Sequence, residues 1–204
     1  DTLLDMGLNT SNIAVISASP SMGYDEKNGE VLKLTFMQNK RRGESVLVKD
    51  MSLEEPNSTW GYKKKITELK LGDIIMYSRD KEGYLNTFRV LYSPQSSPED
   101  AYMQRVNNNA DGRDPGTGPN SFYGEISVGY GKIQYVGKDS VIINAVDGQT
   151  HAYDRMVPTT GATVYVYDRV KDMVTLGSVT QLQKGESVFF RMNYNSTKEF
   201  VIIQ

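Results

Sequence analysis

Ile66-Thr67-Glu68-Leu69-Lys70-Leu71-Gly72-Asp73-Ile74-Ile75-Met76-Tyr77 aligns without a gap on Val179-Thr180-Gln181-Leu182-Gln183-Lys184-Gly185-Glu186-Ser187-Val188-Phe189-Phe190. Self-similarity of this kind marks a repeated building block. In each copy a Leu is placed to plug a core, a Gly permits positive φ in a tight turn, and the acid after it opens an alternating strand. That is the pattern of a barrel corner. Both copies continue through a turn into a terminal strand, Phe88-Arg89-Val90-Leu91 and Phe200-Val201-Ile202-Ile203.

Working outward, a weaker match sets Lys33-Leu34-Thr35-Phe36-Met37 and Ser45-Val46-Leu47-Val48 beside Lys132-Ile133-Gln134-Tyr135-Val136 and Ser140-Val141-Ile142-Ile143. Each pair reads as a hairpin, turning near Arg42-Gly43 or Gly137-Lys138. Strands are predicted at Ile13–Ser17, Val31–Met37, Ser45–Lys49, Asp73–Ser78 and Leu85–Tyr92. The second copy adds a hairpin, Thr163–Tyr167 and Met173–Leu176, for which the first copy shows no equivalent. Between the copies, Ser93–Ser121 holds four of the seven Pro and a Gly/Asn/Asp-rich run, the composition of a linker or long loop. Within it Ser97-Pro98-Glu99-Asp100 is a helix-start signal, predicting one short helix over Ala101–Val106. The expected fold is all-β. Two related small antiparallel β-barrel or sandwich domains stand in tandem, at 1–92 and 122–204, joined by a linker at 93–121.

The bulk numbers exclude several classes of function. With 23 basic and 25 acidic residues interspersed, the chain has no global field to gather nucleic acid or an anionic membrane. Zero Cys removes disulfides, thiolate nucleophiles and the common structural zinc sites. No apolar run approaches the roughly 20 residues that cross a bilayer. The start, Asp1-Thr2-Leu3-Leu4-Asp5, is neither a signal peptide nor an initiator Met, so the chain reads as a piece of a longer protein.

Three stretches carry a family resemblance: Leu3-Leu4-Asp5-Met6-Gly7-Leu8-Asn9 with Ser11–Ile16, Gly72–Ser78 with Asp80-Lys81-Glu82-Gly83-Tyr84, and Val164–Asp168 with Lys184-Gly185-Glu186. Together they resemble β modules of the large surface-layer-type proteins of Firmicutes, which often carry surface-layer-homology anchoring domains elsewhere in the chain. The resemblance implies a cell-envelope location and a structural or self-associating role, with no catalytic residues to carry over. Phage or appendage particles are another home for similar small barrels.

Candidate chemistry is sparse. His151 is the single His, flanked by Thr150 and Ala152 in a predicted strand, and with neither Cys nor a G-x-S-x-G element it lacks partners for nucleophilic catalysis. The carboxylate pairs Glu54-Glu55, Glu99-Asp100 and Asp111/Asp114 fall in polar loops, where solvated side chains are expected. Asn107, Asn109 and Asp111 place oxygens at alternate positions with Gly112 sixth, as calcium loops do, and Asp114 adds another at the eighth. Gly118 stands at the twelfth position, where such loops place a bidentate Glu, so calcium is the secondary reading there.

Lys40-Arg41-Arg42 occupies a predicted hairpin tip, and Lys63-Lys64-Lys65 follows Trp60 and Tyr62. In an OB-like barrel such aromatics and lysines could stack bases and contact phosphates. Glu54, Glu55 and Glu68 offset that charge. Trp60 and Tyr62 could equally stack on sugar rings or cap the first barrel. Tyr135, Tyr165 and Tyr167 are expected as core or cross-strand residues.

The sequence therefore points to a non-catalytic structural or interaction module of an extracellular bacterial protein, partnered by neighbouring modules or subunits. The rivals are a cell-wall glycan module using Trp60 and Tyr62, and a single-stranded nucleic-acid binder using Lys63, Lys64 and Lys65.

Overall fold

A computed structural model of the protein describes residues 12–55, 64–95, 126–146, 152–193 and 196–204. Among them it is all-β, with two sheets, 3-10 turns and no α-helix. The chain divides into two compact units, Asp1–Gln95 and Ser96–Gln204. The predicted helix at 101–106 lies outside the described residues.

The first unit is built from β1 (Ala14–Ile16), β2 (Ser21–Asp25), β3 (Gly29–Gln38), β4 (Arg41–Val48), β5 (Ile74–Arg79) and β6 (Leu85–Tyr92). Its sheet runs β2-β3-β1-β5-β6, with β4 on the other edge of β3. β1 sits between β3 and β5, and Ala14, Val15 and Ile16 are all buried. A central strand covered on both faces reads as a continuous apolar run. β5 does the same: Ile74 to Tyr77 are all buried, where an alternating strand was expected. The β3–β4 hairpin turns at Asn39 and Lys40, both at positive φ, the two-residue turn whose twist matches the strands.

The second unit contains β7 (Ile126–Val136), β8 (Ser140–Val146), β9 (Ala152–Pro158), β10 (Thr163–Asp168), β11 (Met173–Leu176), β12 (Ser187–Asn193) and β13 (Ser196–Ile203). They form one sheet in the order β11-β10-β13-β12-β7-β8-β9. Its core gathers Ile133, Val141, Ile143, Val157, Val164, Val166, Leu182, Val188, Phe190, Phe200 and Ile202. Gly129 lies opposite Phe190 in the β7–β12 ladder, and a Cβ there would stand 2.4 Å from the ring's Cζ. The glycine makes the seat for that ring, which also carries the Arg155 guanidinium 5.5 Å from its centroid.

Four expectations change. The sheets are open: no ladder closes either into a barrel among the described residues. β10 and β13 run parallel, Thr163–Tyr167 beside Glu199–Ile203, so the architecture is not wholly antiparallel. β2 was not foreseen as a strand, and β9 was foreseen only at its start, around Ala152. Finally, the weaker hairpin match is displaced by one strand. Gly72 N–H donates to Ile16 O at 2.8 Å and Gly185 N–H to Ile133 O at 2.8 Å, which equates β1 with β7. β7–β8 thus answers to β1–β3, not to β3–β4. The matched segments share only a short run of apolar and polar residues followed by a turn, so such a match can slide from one hairpin to the next.

The two corners themselves coincide. Ile66–Glu68 and Val179–Gln181 are 3-10 turns, Leu69 and Leu182 are buried, and Gly72 and Gly185 adopt φ of 89° and 92°. Ile16 N–H donates to Asp73 O at 2.9 Å, and Ile133 N–H to Glu186 O at 2.9 Å. Glu68 reaches back to the Lys65 N–H at 3.0 Å, as Gln181 does to Ser178 N–H at 2.9 Å. An acceptor three residues into a helical turn satisfies an otherwise orphaned donor.

Candidate functional site

Of the five residues singled out as ligand contacts, Trp60, Tyr62 and Lys63 lie outside the described residues. Lys64 does not belong to a solvent-facing basic strip. Its side chain is 4% exposed, and its Nζ lies 3.0 Å from Asp73 Oδ2 and 3.2 Å from Ser93 Oγ, both of those residues fully buried. The Ser93 hydroxyl donates to Asp73 Oδ1, and Lys70 N–H donates to Asp73 Oδ2 at 2.9 Å. Taking one ammonium out of water requires a partner in place, and Asp73, opening β5 at the corner, is that partner. Lys65 keeps an exposed side chain while its backbone bridges to Glu54.

A serine beside a lysine is one arrangement for nucleophilic chemistry. In this cluster Lys64 donates to both neighbours and the Ser93 hydroxyl donates to Asp73, all three residues being buried. These contacts clamp Lys64 to Asp73 and Ser93.

Glu55 extends the clamp and corrects the picture of a solvated loop acid, for it is buried. One carboxylate oxygen accepts Val90 N–H of β6 at 2.7 Å, and the other accepts Lys64 N–H at 2.9 Å. Glu55 N–H donates to Lys64 O at 3.0 Å and Ile66 N–H to Leu53 O at 2.8 Å. Residues 53–55 and 64–66 therefore pair as two short antiparallel segments just before the first corner. The β10–β11 hairpin thus has a partial counterpart after all. The second unit has its own buried pair: Arg191 Nε lies 2.5 Å from Glu199 Oε1 and Nη2 3.1 Å from Oε2, across β12 and β13.

Asn107, Asn109, Asp111, Asp114 and His151 lie outside the described residues. Among the described residues no three His, Asp or Glu come together as metal ligands. No family model, curated protein or solved structure matches the chain.

The surface offers two features that sequence reading passed over. On the first unit, Tyr84 donates its hydroxyl to Asp25, which also accepts Asn28 Nδ2 at 3.0 Å and Lys27 N–H at 3.1 Å. Lys27 pairs with Glu82 at 2.9 Å, and Lys49 with Asp80 at 3.3 Å while sitting 5.0 Å from the Tyr84 ring centroid. These contacts join the β2–β3 turn and the end of β4 to the β5–β6 turn, a seam of side chains where the sheet has no ladder. The Tyr84 hydrogen bond, helped by Asn28 and Lys27, holds the Asp25 carboxyl below its ordinary range.

On the second unit, Tyr135, Ile142 and Met156 are direct cross-strand neighbours on β7, β8 and β9. Tyr135 is 62% and Met156 67% exposed, so Tyr135 meets its expectation as a cross-strand residue and not as a core one, whereas Tyr165 and Tyr167 are buried. Beside that row runs a second, Lys132, Asn144 and Asp154, in which Asn144 Nδ2 donates to Asp154 Oδ1 at 3.0 Å. The signal for the exposed row lay in register, which the sequence does not display. A cleft of about 210 Å³ between Val136, Val141, Thr159, Val179 and Leu182 is smaller than the roughly 300 Å³ at which small-molecule pockets begin.

Proposed function

We propose that the chain is a non-catalytic structural and interaction module of a larger bacterial cell-surface protein of the surface-layer type, its two units acting as tandem copies of one β building block. The observation that carries this reading is the character of the sheet edges. Among the described residues no strand pairs with the outer edge of β2 or of β11. β2 presents Met22 and Tyr24, 55% and 78% exposed, and β11 presents the half-exposed Met173 and Leu176. Soluble proteins commonly blunt such edges with charge or proline, and apolar open edges invite pairing with another chain.

The interiors support a scaffold role. Lys64–Asp73 and Arg191–Glu199 place charge pairs inside each unit, where losing one partner leaves an uncompensated ion. Such pairs favour one fixed arrangement, which a module transmitting position between neighbours requires. The partners are then adjacent modules or subunits of the same surface protein, met through edges and loops.

Sedimentation velocity over a concentration series tests the self-associating part. The wild type is expected to form larger species that the Tyr24→Lys/Met173→Lys double variant does not. A chain that stays monomeric at every concentration, or a variant that associates equally well, removes the support. Immunogold labelling of intact cells with an antibody to this chain tests the location, and label confined to the cell interior would sink it.

A further inference from the structure

We propose that the solvent face of β7, β8 and β9 is a binding platform for a neutral polysaccharide, in which Tyr135 and Met156 stack on sugar rings while Asn144 and Asp154 take their hydroxyls. The proposal does not rest on the surface-protein reading, since it concerns a sheet face and not the edges.

The register places the platform's parts. Tyr135, Ile142 and Met156 form one lateral row, and Lys132, Asn144 and Asp154 form the next. Same-face rows in a sheet stand about 7 Å apart, so one pyranose ring spans from the apolar row to the polar one. A ring's C–H face meets the aromatic and thioether surface, while its rim hydroxyls need donors and acceptors. Asn144 and Asp154 supply both, and their 3.0 Å hydrogen bond holds each in place before a ligand arrives. That bond uses one amide hydrogen and one carboxylate oxygen, leaving the second carboxylate oxygen, the amide oxygen and the other amide hydrogen to engage a diol.

Charge and area narrow the occupant. Lys132 and Asp154 carry opposite charges at the two ends of the polar row, so the face has no net field for a polyanion. Three side chains of this size cover at most roughly 500 Å². A stable protein interface needs about 800 Å² from each partner, so a second copy is poorly served by this row alone. An uncharged, hydroxyl-rich, repeating ligand suits a short apolar strip of this shape, because successive rings can use it in turn.

The test is native affinity electrophoresis of the 204-residue chain in gels containing hydroxyethylcellulose, xylan or galactomannan, with dextran sulfate as the anionic control. At least one neutral polymer should retard the wild type, and dextran sulfate should not. Tyr135→Ala should weaken retardation about tenfold and Asn144→Ala severalfold, while Tyr135→Phe keeps it. Urea midpoints of the variants should match the wild type, which separates lost binding from lost folding. The proposal is overturned if none of the three neutral polymers retards the chain, if Tyr135→Ala is retarded like the wild type, or if Tyr135→Phe loses retardation. It also fails if Tyr135→Ala instead dissociates an oligomer in sedimentation velocity, which would make the row a protein interface.

Discussion

The flank of β6 in the first unit and the flank of β13 in the second face the same requirement and meet it differently. Each terminal strand follows a matching corner, and Val90 pairs with Ile75 on β5 as Ile202 pairs with Val188 on β12. On the second unit the next neighbour is a whole strand, β10, whose backbone runs parallel to β13. On the first unit the neighbour is the short segment 53–55, and the Glu55 carboxylate reaches across to take Val90 N–H and Lys64 N–H. One carboxylate with two acceptor oxygens stands in for part of a ladder. A repeated corner thus constrains the chain that enters and leaves it, and leaves the flank to local invention.

The difference has a thermodynamic consequence. A backbone ladder distributes its hydrogen bonds along several residues, so no single side chain is indispensable to it. A carboxylate surrogate concentrates the same task in one residue. Glu55→Ala would leave two buried N–H groups without that acceptor, each costing about 1–3 kcal/mol. This is the largest effect expected, measured by urea denaturation, with hydrogen exchange accelerating at Val90 while Ile202 keeps its wild-type protection. Equal exchange at both positions would erase the distinction between the two flanks.

A middle-sized effect examines the likeness. Gly72 and Gly185 occupy the same left-handed turn conformation, at φ 89° and 92°. An alanine there pays a Cβ clash of about 1–2 kcal/mol. Gly72→Ala and Gly185→Ala should therefore destabilise by similar amounts in parallel urea melts. Costs differing by more than twofold would show that the two corners are strained differently despite their shared hydrogen bonds.

The smallest effect concerns the seam that only the first unit has. The Asp25 carboxyl is held below its ordinary value chiefly by the Tyr84 hydroxyl. A group whose folded pKa is depressed contributes stability above its unfolded pKa and loses that contribution as pH falls through the folded value. The contribution is thus present above about pH 4 and disappears in more acid solution. Tyr84→Phe should bring the Asp25 titration, followed by NMR, back toward the ordinary carboxylate range. An unmoved titration would remove Tyr84 as the cause.

Legibility in the sequence follows the range of the interactions concerned. The corner was readable because the buried Leu, the left-handed Gly and the acid after it lie within twelve consecutive positions and act on their neighbours, whereas the back-bonding of Glu68 and Gln181 came only with the structure. Lys64 was misread for the opposite reason. Its neighbours Lys63 and Lys65 suggest a basic strip, while the groups that determine its direction, Asp73 beyond the 3-10 turn and Ser93 past β6, are brought to it by the fold and draw it inward. For Tyr135 the choice between core and exposed cross-strand residue was not legible, because burial of a strand residue depends on what covers that face. A two-residue period separates one face from the other and does not say which faces solvent.

What the amino-acid order settled by itself is the all-β character, the paired corners and the absence of thiol chemistry, since these depend on residue type and short-range geometry. Tertiary structure alone decided that β10 runs parallel to β13, that Glu55 and Lys64 turn inward, and that Tyr135, Ile142 and Met156 line up on an open face. Those outcomes depend on strand register and on partners brought together from distant positions, and free energies of that kind are properties of the assembled sheet.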